Sequence, residues 1–262
     1  MAGDTYPKFR AAVVHAAPVF LDREATIDKV DHLAQKAKEQ GADIVVFPES
    51  FVPAFPVWCI LYAPIDQHDF YRRLFDQAVL IPGPAFSRLA AIAKSQKIFL
   101  SLGVTEKGDY SLGAMWNTNL LFDRSGTLIN RHRKIMPTWA EKLIWAMGDG
   151  SQLRPARTEI GNIGTLICGE NTNPLSRYAL LAQGERLVCH LLYYTPQRRT
   201  TQIDIVEDVV PLFDVPLAVR ADFVPRRVYL APQGQDLPFE RDGACIRCHV
   251  PEIRGHQMVV FE

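Results

Sequence analysis

The stretch DIVVFPES, residues 43–50, decides the fold. Ile44, Val45, Val46 and Phe47 form an unbroken apolar run, largely β-branched, with a charge before it and Pro48 after it. A run that is apolar on both faces suits a strand inside a sheet covered on both sides, and it places Glu49 just beyond the strand's C-terminal end. Upstream, Gly41 closes a segment in which Ile27, Val30, Leu33, Ala34 and Ala37 recur at helical spacing, and Asp22 is suited to cap its start. Apolar residues also run through Phe9–His15, giving a β-α-β opening. Downstream the pattern predicts a helix over 84–96, a strand over 97–104 and a hairpin of 115–123 with 127–132 around Arg124-Ser125-Gly126. A strand over 163–167 ending at Cys168, a helix over 174–183 closed by Gly184 and a strand over 186–191 complete the series. The order β-α-β-α-β-β-β-β-α-β describes an α/β fold in which helices cover a mixed sheet.

Composition narrows the function. The chain has 262 residues, 48% hydrophobic and 22% charged, enough apolar material for one large core. Twenty-nine Lys plus Arg balance twenty-nine Asp plus Glu, so no bulk field favours nucleic acid or anionic lipid. The longest uncharged apolar stretch, residues 51–65, is broken by Pro53, Pro56 and Pro64 and falls short of the roughly 20 residues that span a bilayer. It reads as loop lining. Residues 1–10 carry no apolar signal region, so a cytoplasmic location is expected. The cysteines at 59, 168, 189, 245 and 248 are odd in number and scattered, which argues against a disulfide framework.

Three reactive side chains sit where a strand hands over to a loop: Glu49, Lys134 in NRHRKIMPT and Cys168 in GTLICGEN. A cysteine at such a turn exposes its sulfur, collects backbone N–H groups, and becomes nucleophilic beside a base or a cation. Plainer readings stand beside this one. A cysteine after an apolar run is commonly a small core residue, the reading given to Cys59 and Cys189. A lysine in the basic cluster 131–134 commonly belongs to a solvated face, and a glutamate after Phe-Pro is commonly a loop charge or a helix cap.

Four ordered segments together resemble the nitrilase branch of the carbon–nitrogen hydrolase superfamily. They are VVFPESFVPAFPVW (45–58), MWNTNLLFDRSG (115–126), HRKIMPTWAEKLIWAMGDGS (132–151) and IGTLICGENTNPLSRYALLAQGE (163–185). The resemblance covers about residues 9–192. It implies a four-layer α-β-β-α sandwich, with an atypical or incomplete C-terminal part. It further implies a Glu-Lys-Cys triad in which Glu49 is the base, Lys134 the cation and Cys168 the nucleophile, with Glu141 orienting Lys134 or moving protons. The implied reaction is hydrolysis of a small-molecule nitrile by water to an acid and ammonia, with neither metal nor organic cofactor, in a homo-oligomer that is a dimer or larger, including spirals. An amidase with the same triad and a catalytically idle relative are the alternatives. Gly169 departs from the tryptophan that nitrile-cleaving members usually carry after the cysteine, which reshapes the pocket wall. Phe55, Trp58, Trp116 and Trp139 suit either an apolar pocket or the core. Asn117 and Asn171 suit backbone groups of the site loops.

From Tyr193 onward the sequence changes character: residues 193–262 hold seven prolines and eight arginines and no lysine. Residues 1–192 are therefore read as the matching part of one domain and 193–262 as its atypical C-terminal segment. Arginine- and proline-rich composition of this kind is what GC-rich DNA yields in a shifted frame, and a frame change near 193–200 is one explanation. The same segment contains Cys245-Ile246-Arg247-Cys248-His249, a C-x-x-C-H pattern, with His256 nearby, which is read as a chance match to haem or zinc attachment.

Overall fold

Strands Ala11–Val13 (β1) and Ile44–Val46 (β2) pair in parallel on either side of helix Arg23–Glu39 (α1), as the opening predicts. The computed structural model describes residues 8–185, 187–191, 212–221, 223–253 and 257–262, with backbone alone for 187–191 and 212. The chain divides into two compact units, residues 1–193 and 194–262. Asp22 caps α1, its Oδ1 accepting the Ala25 N–H at 3.0 Å, a contact of about 1 kcal/mol. Gly41, at φ +79°, turns the chain into β2 in a conformation that a β-carbon would disfavour.

Residues 51–65 are more ordered than loop lining. They contain helix Trp58–Leu61 (α2) and most of a 3-10 turn, Pro64–Asp66, and lead to helix His68–Gln77 (α3) and strand Val79–Leu80 (β3). Pro64 occupies the first turn of its helix, where a missing N–H is no loss. Leu74 is buried, and Phe70, Tyr71 and Phe75 pack half-buried against a cluster containing Phe55, Trp58 and Trp145. Helix Pro84–Gln96 (α4) follows. Strand Phe99–Lys107 (β4) begins two residues later than its pattern suggests, because Lys97, at φ +49°, closes α4 instead of entering the sheet.

Strands Met115–Phe122 (β5) and Leu128–Arg133 (β6) form the expected antiparallel hairpin. Strands β1-β2-β4-β5-β6, with β3 paired to the end of β4, make a six-stranded mixed sheet. A 3-10 helix, Trp139–Leu143, precedes strands Ala156–Thr158 (β7) and Gly161–Ile167 (β8). A second 3-10 helix, Cys168–Thr172, leads into helix Pro174–Ala182 (α5) and strand Leu187–Leu191 (β9). The order β7-β8-β9 makes a second sheet.

Period-two alternation explains the layering. Val45 and Phe47 face α1 and α4 in a cluster with Ile27, Val30, Leu89, Leu100, Leu120 and Phe122. Ile44 and Val46 face the other way, with Phe99 and Leu121, onto Ala156, Ile160 and Ile163 of the second sheet. Gly164, one residue on from Ile163, presents the opposite side of β8 to Glu185, beyond α5. The unit is thus helix, sheet, sheet, helix, the four-layer α-β-β-α sandwich. Each fully buried large aliphatic chain in it contributes roughly 1.5–3 kcal/mol. No helix among the described residues is long and apolar enough to cross a membrane.

The second unit is built of strands among its described residues. Leu212–Arg220 (β10), Phe239–Asp242 (β13) and Cys245–Ile253 (β14) form one sheet. Val228–Ala231 (β11), Gln235–Asp236 (β12) and Met258–Phe261 (β15) form another. Val228, Leu230, Leu237, Ile246, Cys248 and Val250 make its core. The C-x-x-C-H pattern lies on β14, where residues three apart point to opposite faces. Cys248 therefore lies in the core, its thiol pushed up by burial, while His249 faces outward with its Nδ1 2.8 Å from Asp214 Oδ1. No cluster of three or more potential metal ligands occurs among the described residues. His256, the frame change near 193–200 and the Cys189 side chain lie outside them.

Candidate active site

Glu49 follows β2, and its loop is fixed from both ends. Phe47 N–H donates to Ser101 O at 2.8 Å, and Val52 N–H to Gly103 O at 3.2 Å. Ser50, at φ +45°, lies 2.8 Å from Thr105 Oγ1 through its own Oγ, which also donates to Ala54 O at 3.1 Å. The loop crosses β4 so closely that a β-carbon on Gly103 would sit 2.4 Å from both Pro48 O and Ser50 N. Gly103 thus makes room for the Glu49 backbone, a requirement that its place in an ordinary apolar strand does not announce.

Lys134 is the residue after β6, and strand alternation buries it. Asn130, His132 and Lys134 turn inward, each 3% exposed or less. Arg131 and Arg133 turn to the opposite face and close on the buried carboxylate of Glu106, which also accepts from Thr118 Oγ1 at 2.9 Å. Burial acts to raise the Glu106 carboxyl, but the two guanidinium groups outweigh it and hold it below the usual range. The basic cluster 131–134 is therefore not a solvated face: two of its charges pair with Glu106 and the last enters the site. Lys134 N–H donates to Asn117 O, and Gly148 N–H to Lys134 O, both at 2.8 Å. A β-carbon on Gly148 would meet Arg133 O at 2.3 Å, so this glycine too is imposed by the site's framework.

The Lys134 Nζ donates to Glu49 Oε1 at 2.8 Å and to Glu141 Oε2 at 2.7 Å. Glu141 stands on the 3-10 helix after Thr138, whose N–H donates to the same Oε2 at 2.8 Å. Burial disfavours the ammonium, yet the charges and hydrogen bonds of the two carboxylates outweigh it and push the Lys134 pKa up. Burial pushes the Glu49 carboxyl up as well, with Glu141 adding to it and Lys134 opposing. Asn117 Nδ2 donates to Glu49 Oε1 at 2.7 Å. This corrects its expected role: it serves the side chain of Glu49 instead of a loop backbone. Glu49 Oε2 is buried and accepts no hydrogen bond from the described residues.

Cys168 is the residue after β8, half-exposed and at φ +49°. The turn is tied by Asn171 Nδ2, which donates to Cys168 O at 3.0 Å and Leu166 O at 3.2 Å, the backbone role expected of it. Burial raises the thiol, the Glu49 and Glu141 charges add to this, and Lys134 and the Gly169 N–H oppose it. Glu49, Lys134 and Glu141 thus touch directly, and the Cys168 sulfur lies within electrostatic reach of all three. Cys59 is unlike it: buried in the aromatic cluster, its thiol is pushed up to about 12, as suits a core residue.

The aromatic residues divide. Phe55 and Trp58 are buried together with Trp145, and Trp116 lies under the Arg133 guanidinium at 3.8 Å. Trp139 is 74% exposed. A β-carbon on Gly169 would lie 3.4 Å from Thr138 Oγ1, so a larger residue there would be directed along the segment bearing Glu141.

The chain resembles known proteins in sequence and in fold. The family model described as carbon–nitrogen hydrolase matches residues 10–208. Nitrilase 3 of an unknown prokaryotic organism is 42% identical over 180 residues, covering 68% of this chain and 54% of its own. A nitrilase of Paraburkholderia phymatum is 39% identical over 180 residues, covering 69% and 52%. A bifunctional nitrilase/nitrile hydratase of Nicotiana tabacum is 40% identical over 188 residues, covering 70% and 53%. The chain therefore spans about half the length of the curated relatives it matches. Among solved structures, a carbon–nitrogen hydrolase from Helicobacter pylori G27 shares the fold with TM-score 0.58 at 19% identity, over 73% of this chain and 62% of that one. An amidase from Nesterenkonia sp. does so with TM-score 0.56 at 20% identity, over 93% and 90%. With the family model spanning most of the sequence and these relatives near 40% identity, the chain belongs to the carbon–nitrogen hydrolase family, on its nitrilase branch.

Proposed function

We propose that this chain hydrolyses an organic nitrile to the carboxylic acid and ammonia, with Cys168 as nucleophile, Glu49 as general base, Lys134 as fixed cation and Glu141 as its second anchor. The observation that carries the reading is the buried ammonium of Lys134 held between Glu49 Oε1 and Glu141 Oε2, with Glu49 Oε2 left without a partner among the described residues. That oxygen is the one able to take a proton, and a carboxyl raised by burial is suited to doing so near neutral pH.

Glu49 takes the thiol proton as the Cys168 sulfur adds to the nitrile carbon, and the proton passes to the nitrogen to give a thioimidate. Water adds to this carbon, the C–N bond breaks, and ammonia leaves a thioester. A second water, deprotonated by Glu49, releases the acid and restores the thiol. Lys134 and the Gly169 N–H stabilise the negative charge of the tetrahedral intermediates, and loss of one such donor typically costs about 2.7–4 kcal/mol. Glu141 keeps the ammonium aimed, since an ion held from two sides does not reorganise when charge develops. The protein is further read as cytoplasmic, acting as a homo-oligomer.

Ammonia release from a panel of small aliphatic and aryl nitriles and the matching amides tests the reading, with Cys168→Ala as control. Release from nitriles that disappears in the control supports it. Release from amides alone selects the amidase alternative, and activity surviving in the control removes Cys168 as nucleophile.

A further inference from the structure

Three donors converge on one buried carboxylate beside the triad. Glu170 Oε2 accepts the Ile167 N–H at 2.8 Å and lies 2.9 Å from His132 Nε2, while Oε1 accepts the Ile135 N–H at 2.7 Å. A carboxylate only accepts, so the His132 ring donates from Nε2. Ile167 immediately precedes Cys168, Ile135 immediately follows Lys134, and His132 stands two residues before Lys134. One side chain is therefore bonded on both sides of the lysine and directly before the cysteine.

We propose that Glu170 is a positioning residue that locks the turn bearing Cys168 to the strand end bearing Lys134, a role resting on the function proposed above. The bond to Ile167 by itself is the local cap that a third-position glutamate gives to a short helix. The bonds to Ile135 and His132, 35 and 38 residues away, are not capping. They span the two segments whose separation sets the reaction geometry. Glu49 and Glu141 reach Lys134 through direct hydrogen bonds. Cys168 lies 34 positions beyond Lys134 along the chain, so the distance between sulfur and ammonium depends on noncovalent ties. The cysteine also sits at φ +49°, a conformation that a non-glycine residue keeps only when its flanks are held. Glu170 holds the N–H before it, and Asn171 holds its carbonyl.

Glu170→Gln tests the assignment, because an amide offers one accepting oxygen and leaves either Ile135 or Ile167 facing a second donor. Two readouts are taken on folded protein verified by circular dichroism: kcat and KM for ammonia release, and the pH midpoint of Cys168 alkylation by iodoacetamide, followed by peptide mass spectrometry. The expected result is a kcat lower by about 10- to 100-fold with KM within about threefold, since a 1 Å misplacement costs on the order of 100-fold. The alkylation midpoint is expected to fall toward that of an ordinary thiol, as the sulfur leaves its buried position and the charges of Glu49 after β2 and Glu141 on the 3-10 helix, which together outweigh the opposing Lys134 after β6. A side chain that served only stability would lower the melting temperature and leave kcat and midpoint unchanged, and that result overturns the proposal. Should Glu170→Gln not fold, His132→Leu, which has no side-chain donor, removes one tie and keeps both backbone bonds. A fall in kcat of about 3- to 10-fold with the same midpoint shift is then expected, and unchanged values overturn the proposal. The alkylation readout needs no substrate, so a wild-type protein that releases no ammonia defeats the proposed function without deciding the tie.

Discussion

Replacing Lys134 by methionine, which nearly matches its volume, removes the charge that two buried carboxylates share. The variant loses two charge-assisted hydrogen bonds, at 2.7 and 2.8 Å, each with a net worth of about 1.5–3 kcal/mol. That sum agrees with the roughly 3–5 kcal/mol by which breaking a buried ion pair destabilises a protein. A unit of this size shifts its melting temperature by about 2–4 °C per kcal/mol, so a decrease of about 6–20 °C is expected at pH 7.5. The pH dependence is the sharper test. Without the cation, Glu49 faces the charge of Glu141 with nothing to oppose it, and its carboxyl, already raised by burial, rises further above the unfolded value of about 4.3. A carboxyl raised in this way stabilises the fold at low pH and withdraws that stability as pH rises through its folded value. The deficit of Lys134→Met against the wild type should therefore shrink steadily from pH 7.5 to pH 5. Thermal melts followed by far-UV circular dichroism at these pH values decide the matter. A melting temperature within about 2 °C of the wild type at pH 7.5, or a deficit that does not shrink on acidification, refutes the shared-ammonium account.

Three further outcomes are expected. Asn117→Ala removes a hydrogen bond that favours the charged form of Glu49, so its carboxyl rises further and the acid limb of kcat/KM moves to higher pH in a pH–rate profile. Gly103→Ala places a methyl group against Pro48 O and Ser50 N, which should destabilise the unit by about 1–3 kcal/mol and displace Glu49. Turnover per folded molecule, measured beside a melt, should then fall more than stability alone accounts for. Iodoacetamide at pH 8 should alkylate Cys168 and spare Cys59, whose thiol is pushed up to about 12, as read by peptide mass spectrometry.

The legibility of the sequence follows the physics of each element. The helix over 84–96 was readable to its ends because Pro84 sits in its first turn and its apolar spacing is regular, and the structure returns the same bounds. β2 and β8 were readable because strands buried on both faces are written as continuous apolar runs. α3 escaped because its sequence, HDFYRRLFDQ, is mostly polar and its packing face is made of half-buried aromatics with Leu74 alone fully buried. β7 is three residues long and too short to show a period. Glu49, Lys134, Glu141 and Cys168 are legible only as members of motifs, and no spacing argument brings residues 49, 134 and 168 together. That takes two sheets whose strand ends meet. The role of Asn117 is not legible in the sequence, because its partner is a side chain 68 residues away. Gly103 and Gly148 carried no signal, since what demands them is a backbone crossing visible only in three dimensions.

With both carboxylates ionised, two acidic groups around one basic group leave the site with a surplus negative charge. The proposed reaction admits an uncharged nitrile and ends with an anion. At a separation of about 6 Å and an effective dielectric constant of about 20, the surplus would repel that anion by about 3 kcal/mol, roughly a hundredfold in residence. The trio that anchors the lysine would then also hasten product departure, and accumulated acid would be a feeble inhibitor of its own formation.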